Sequence, residues 1–300
     1  MADILPISQQ QETTSVGIPT KLQTLREQID AVDTQILSLL SQRVTTVRRI
    51  GDLKRQEGLP IYAPDREEKL LRHLAEKNES ALSAASVHAI YREIISACRA
   101  LEKEITVACL GLIAGITHQA ARRRFGSAVK YTFFQEASEV FRRVSESEAD
   151  CGVIPVGSTE VKNLAVAQVL SDLARTELSI CAEILLDSRE GEQRDRFLVL
   201  SRIPTSPSGS DRTLLLLRLE NKPEALAVLE PLKGRSIALG PLASQPATGK
   251  RDTEDLLFLM EAEGHSTQLQ AKNCLLEQLS RCCLTMKILG SYPKGGAIAS

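Results

Sequence analysis

The sequence predicts an α+β multidomain chain: an all-α domain, then a small α/β domain, then a ferredoxin-like βαββαβ domain. Three observations carry this. From Leu22 to Arg55 apolar residues recur at three-and-four spacing, without a proline. From Ile105 short apolar runs alternate with helical stretches. From Arg212 the runs follow the order β-α-β-β-α-β.

Composition narrows the function. The chain has 300 residues, 43% of them hydrophobic, enough for two or three cores. Its net charge is −1, with no basic stripe interleaved with aromatics, which argues against nucleic acid as a partner. No apolar run approaches the roughly eighteen residues that a membrane helix needs. The opening MADILP has no basic region followed by a long apolar core, so a cytoplasmic protein is expected. The seven cysteines (98, 109, 151, 181, 274, 282 and 283) are scattered without a C-x-x-C, and read as reduced packing residues. No metal or cofactor is expected.

Residues 1–19 are polar and read as a disordered lead. The all-α domain spans 20–104. Its first helix buries one stripe: Leu22, Leu25, Ile29, Val32, Ile36, Leu39, Leu40, Val47, Ile50 and Leu53. At ~1.5 Å per residue, 22–55 spans roughly 50 Å, long enough to require another long helix or a second chain against it. After the turn EGLP, Asp65 is a cap for a second helix through Leu70, Leu71 and Leu74. A third runs from 84 to 104, with Val87, Ile90, Tyr91, Ile94, Ile95, Cys98 and Leu101 on its apolar side.

Cations lie beside the long stripe. Arg43 and Lys54 are about three turns apart, hence on one side of the helix. Arg26 lies ~25 Å before Arg43 along the axis, too far to share a small ligand within one chain. An antiparallel helix from a second copy brings it within reach. Arg26, Arg43, Lys54, Arg66, Glu67 and Glu102 together suggest a site for a small dianion, since guanidinium forks match carboxylates. The alternative is a solvated helix face with ordinary ion pairs.

LREQIDAVDTQILSLLSQR, IGDLK, DREEKLL and YREIISACRALE, within 20–104, resemble the all-helical chorismate mutase domain fused to the front of bifunctional chorismate mutase–prephenate dehydratase proteins. The resemblance implies an intertwined homodimer, possibly assembling further. It implies that Arg26 serves the partner's site on the side-chain carboxylate of chorismate, and that Arg43 holds the ring carboxylate. Lys54 falls at the ether oxygen and a carboxylate. Arg66 and Glu67 match the Arg-Glu pair, whose glutamate contacts the ring hydroxyl. Cys98 falls where some members have serine, and Glu102 at the Gln or Glu of the ether oxygen. Ala63 departs from the aspartate of many members. The reaction turns chorismate into prephenate by a pericyclic rearrangement, which needs positioning and charge stabilisation but no nucleophile. A glutamate at position 102 donates to the ether oxygen only when protonated.

The α/β domain spans 105–202. Strands are read at 105–110, 129–133, 151–155, 178–186 and 196–200, with helices from Thr117, at 137–146 and at 164–173. ACLG, THQAA, FGSAV, EADCGVIPVGSTE and RDRFLVLSR resemble prephenate dehydratase. Against that pattern Leu112 and Ile113 alter the first glycine turn, Gly157 replaces Glu-Asn, and Asp195 replaces the threonine proposed as catalytic. Between Leu186 and Arg194, where the family places a whole second lobe, this chain has only a short connection. The expectation is a truncated, inactive dehydratase-like domain, with His118 as a capping or packing residue.

Residues 203–211 read as a linker and 212–294 as the ferredoxin-like domain. ENKPEAL, LASQP and MKILGSYPKG resemble an ACT regulatory domain of the same proteins, in which phenylalanine binds. The resemblance places an effector at Asn221, Pro223, Ala225, Leu226 and Ser244. Glu224, Ala243 and Gln245 depart from the motif, so weak phenylalanine binding is expected. The leading reading is a chorismate mutase of aromatic amino acid biosynthesis. One alternative is the full bifunctional enzyme making phenylpyruvate under phenylalanine control. Another is a non-catalytic, amino-acid-binding regulatory partner.

Overall fold

In the computed structural model of the chain, the described residues are 17–59, 62–157, 169–187, 194–220, 236–246, 254–271, 276, 279 and 283–294. The chain divides into two compact units, Met1–Ile50 and Gly51–Ser300.

The first unit holds most of helix α1 (Gly17–Gln56). The helix starts at Gly17, so the last residues of the expected disordered lead are helical; 1–16 lie outside the described residues. Thr24, Thr34, Thr45 and Thr46 each donate a hydroxyl to the carbonyl four residues back, which keeps these β-branched side chains compatible with a helix. Leu22, Leu25, Ile29, Val32, Ile36 and Leu39 are all exposed, Ile36 least at 46%.

The second unit begins with the last turn of α1, then α2 (Pro64–Glu76) and α3 (Ala84–Glu102). Pro64 opens α2 as its first residue, where its missing N–H costs nothing. Asp65 therefore sits inside the first turn rather than capping it, since Ala63 holds the cap position. On α3, Ser83 caps the start through the Ser86 amide at 3.1 Å. The buried face of α3 differs from the expected one. Ser96 and Arg99 are buried with Val87 and Cys98, while Ile90 and Leu101 are about half exposed. Apolar spacing marks a stripe on a helix, not the neighbour that each face meets, and α3 turns its polar side to the α/β layer.

That layer is a five-stranded sheet, order β2-β1-β3-β5-β4. Its strands are β1 (Thr106–Leu110), β2 (Lys130–Phe134), β3 (Cys151–Gly157), β4 (Ser179–Asp187) and β5 (Arg194–Ser201). The first three are parallel, and β5 runs antiparallel to both β3 and β4. Helix α4 (Ile116–Phe125) covers one face, where Ala120, Ala121 and Phe125 join Val107, Val153 and Phe197 in one core. Tyr62, just before α2, is buried in that same core. Helix α5 (Ala137–Ser145) covers the other face through Val140, Phe141 and Val144.

The C-terminal sheet is entirely antiparallel, order β7-β8-β6-β9. Its strands are β6 (Asp211–Glu220), β7 (Ser236–Pro246), β8 (Glu254–Glu263) and β9 (Thr285–Pro293), with α6 (Ser266–Ala271) after β8. This is the strand order of a ferredoxin-like sheet; the expected first helix, 223–232, lies outside the described residues. Leu214, Leu216, Leu289 and Tyr292 complete the core of the α5 face, so the two sheets share one interior. Buried charges cross the same interface. Arg196 pairs with Glu183 at 2.6 Å and also with Glu261, which accepts from the Tyr292 hydroxyl at 2.8 Å. The 203–211 segment is no free linker: Thr205, Ser208 and Asp211 are buried, and Asp211 accepts from the Ser208 and Gly209 amides.

Candidate active site

The residues singled out in the helical domain fall into two groups. Arg26 and Arg43 belong to the first unit. Arg26 is exposed, whereas Nη1 of Arg43 is shielded from solvent with no hydrogen-bond partner among the described residues. An arginine N–H in that state gains when an anion arrives.

Lys54, Arg66, Glu67, Cys98 and Glu102 belong to the second unit. The end of α1 and the end of α3 meet at Glu102. A Cβ on Gly51 would lie 3.0 Å from Cγ of Glu102, so only glycine admits this approach without displacing that side chain. Arg55 donates from Nη1 to the Glu102 carbonyl at 2.8 Å. Lys54 therefore sits between two residues that touch Glu102. Three positions before Glu102, Arg99 reaches α2 and donates from Nη1 to Oε1 of Glu67 at 2.6 Å. Lys54 thus lies in the turn of α1 that approaches Glu102, and Glu67 is tied to α3 three positions before Glu102. Cys98 is buried on α3, and Arg66 is exposed on α2.

Arg99 was not singled out in the sequence. Its visible signal is the spacing Ser96–Arg99, a polar strip along one side of α3, which resembles an ordinary solvated face. The structure buries it. Its second fork nitrogen donates to the Phe125 carbonyl at 3.0 Å, at the end of α4. Its guanidinium lies 5.4 Å from the Tyr62 ring centroid and 5.7 Å from that of Phe125. An α2–α4 ion pair, Glu68 with Arg124 at 3.6 Å, lies beside it. Burial pushes the Tyr62 hydroxyl well above its usual range, although nearby Arg124 opposes this.

The α/β end holds the other group. Leu112 and Ile113, after β1, are 67% and 72% exposed. His118 accepts from the Ala114 amide at 3.0 Å and packs edge-on against Tyr131 and Phe133, the packing role expected of it. Burial holds its imidazole below the usual range, helped by Arg122. Asp195 is buried at the start of β5, paired in register with Leu186. Asp187 and Arg194 are paired across β4 and β5, so only six residues, 188–193, join these strands. Of the expected effector positions, Asn221, Pro223, Ala225 and Leu226 lie outside the described residues; only the backbone of Ser244 is described, in β7.

Among the described residues no helix is long and apolar enough to cross a membrane.

Family models match two segments: Chorismate mutase type II over residues 25–103, and Prephenate dehydratase over 107–189. The second match ends two residues after β4. A bifunctional chorismate mutase/prephenate dehydratase of Aquifex aeolicus is 31% identical over 91% of this chain and 98% of its own length. That alignment runs over 359 positions, more than this chain's 300 residues, so the relative carries segments without a counterpart here. Among solved structures, one described as a quorum-quenching acylase, GqqA, matches with TM-score 0.51 and 23% identity over 63% of this chain and 95% of its own. Prephenate dehydratase from Arthrobacter aurescens, solved with L-Phe, matches with TM-score 0.50 and 19% identity over 63% of this chain and 90% of its own. Both likenesses concern the fold alone, which does not dictate chemistry.

Proposed function

The chain belongs to the bifunctional chorismate mutase/prephenate dehydratase family, and from that premise we propose that its helical domain converts chorismate to prephenate at the corner of Lys54, Glu67 and Glu102. The observation that carries this is the approach of α1 to α3, where residues on both sides of Lys54 lie against Glu102, with Glu67 of α2 held by Arg99 three positions before Glu102. Charge grows on the ether oxygen as its bond to the ring breaks. Lys54 and a protonated Glu102 stabilise it there, and these contacts strengthen in the transition state. Glu67 accepts from the ring hydroxyl. By motif position Arg43 takes the ring carboxylate, and Arg26 of a second copy takes the side-chain carboxylate. The exposed stripe of α1, from Leu22 to Leu39, fits that second copy.

A second reading keeps both steps in one chain, with residues 105–202 dehydrating prephenate to phenylpyruvate. The match over 107–189 and the name of the Aquifex aeolicus relative favour it. Nothing in the comparisons supports the expected inactive remnant. What weighs against a fast second step is local: Asp195 in place of a hydroxyl donor, and six residues where the family has a lobe. The complex of the Arthrobacter aurescens protein makes L-Phe the effector to test on the C-terminal sheet.

One assay separates the readings. Purified protein is given chorismate, and prephenate and phenylpyruvate are followed separately. Prephenate is expected to form enzymatically, and phenylpyruvate at least about 100-fold more slowly, the size of one lost general-acid contribution. Comparable rates establish the two-step reading. No prephenate above the uncatalysed rate rejects both.

A further inference from the structure

Resting on the mutase reading, we infer that Arg99 is a positioning residue that fixes Glu67 and anchors it to helix α4 of the α/β layer. Its guanidinium is held through both fork nitrogens and by two aromatic rings. Nη1 donates to Oε1 of Glu67, and Nη2 donates to the carbonyl that ends α4, where a cation is favoured by the helix dipole. Tyr62 and Phe125 lie against it, their own ring centroids 5.2 Å apart. The Arg99 side chain is 5% exposed and that of Glu67 16%, so neither samples many rotamers. Among the described residues the hydrogen bond engages Oε1 alone, leaving Oε2 to accept from a ligand hydroxyl.

Stability alone does not account for this pair. A buried Arg–Glu pair is often no better than well-packed apolar residues of the same volume. Arg99 moreover keeps its Nε buried with no hydrogen-bond acceptor among the described residues. Its partner is the one α2 carboxylate that the mutase motif assigns to substrate. A carboxylate ordered beforehand loses little side-chain entropy when the ring hydroxyl arrives. The mutase carboxylate is thereby referenced to the end of α4, outside the helical domain.

The contact to a ring hydroxyl is the same in bound substrate and in transition state, so losing it raises KM more than it lowers kcat. In the full-length protein, Arg99→Met is expected to raise KM for chorismate about tenfold, as for one lost hydrogen bond to a charged group, with kcat within about twofold. Arg99→Lys keeps the charge without the fork and falls between. In a Glu67→Gln background, Arg99→Met adds no further KM increase, since its effect passes through Glu67. The penalty also disappears for a substrate analogue lacking the ring hydroxyl. Arg124→Met breaks the neighbouring α2–α4 pair; it lowers the melting temperature and leaves KM unchanged. Additive KM effects in the double variant, or a KM rise in Arg124→Met equal to that in Arg99→Met, overturn the inference while leaving the mutase reading intact. If Arg99→Met does not fold, Arg99→Lys and Arg99→Gln carry the same cycle. Wild-type protein without mutase turnover rejects the reading on which the inference rests.

Discussion

The helical corner and the end of the five-stranded sheet are built differently. At the corner, the turn of α1 that carries Lys54 approaches Glu102 of α3, and the buried guanidinium of Arg99 ties Glu67 of α2 to α3. At the sheet end, where β1 and β3 finish and β5 begins, two large apolar residues face solvent and the carboxylate of Asp195 is buried. The corner carries the residues that the proposed mutase step uses. The sheet end presents no such set among the described residues. Both regions match their family models, and the proposed mutase reading rests on the helical one.

The largest expected effect lies at the corner. Lys54→Ala removes the cation from the ether oxygen, and kcat/KM for chorismate is expected to fall about 10²–10³-fold, the scale of one lost transition-state donor. Loss of less than fivefold, measured by chorismate disappearance in folded protein, places the reacting centre elsewhere and erases the contrast between the two regions.

Glu102 sharpens it next. Its carboxyl donates only while protonated, and the protonated fraction falls as pH rises. Wild type is therefore expected to lose kcat toward alkaline pH, while Glu102→Gln, a donor at every pH, loses much less. Turnover profiles of both proteins from about pH 5 to 9 decide this. Parallel profiles remove Glu102 from the ether oxygen.

The smallest effect concerns how the helices are fastened to the sheet. Burial raises the affinity of Glu93 for its proton, but hydrogen bonds from the Ser127 hydroxyl and amide and from Arg92 outweigh it, so its carboxyl lies below the usual range. A depressed folded value stabilises the protein above the ordinary glutamate range, and that share is lost as pH falls through the folded value. Glu93→Gln should lower the urea midpoint at neutral pH by a small amount and match wild type in acid. An equal difference at all pH values indicates a packing effect instead.

Much of the architecture is legible in the residues. The unbroken spacing from Leu22 to Leu53 gives α1, and alternating runs from Ile105 give the parallel strands. The continuous apolar run 214–217 becomes the buried strand β6. Lys54, Glu67 and Glu102 were legible as motif positions, on what the structure shows to be three separate helices. Arg99 was not, because an arginine in a helix is usually solvated, and only the end of α4 makes its burial favourable. Ile90 and Leu101 are about half exposed, because apolar spacing marks a stripe without fixing which face meets a neighbour. The 203–211 segment looked like a linker by composition, yet Asp211 and Thr205 tie it down through hydrogen bonds that composition does not reveal.

The central proposal is that mutase turnover needs Arg26 of one copy together with Arg43 of another, as their motif positions imply. Arg26→Ala and Arg43→Ala chains, each nearly inactive alone, are mixed, and verified heterodimers are assayed for prephenate formation. Each such dimer holds one site free of both substitutions. The expected result is recovery of about half the wild-type turnover at saturating chorismate, the share of one intact site in two. Heterodimers as inactive as the parents contradict the shared site.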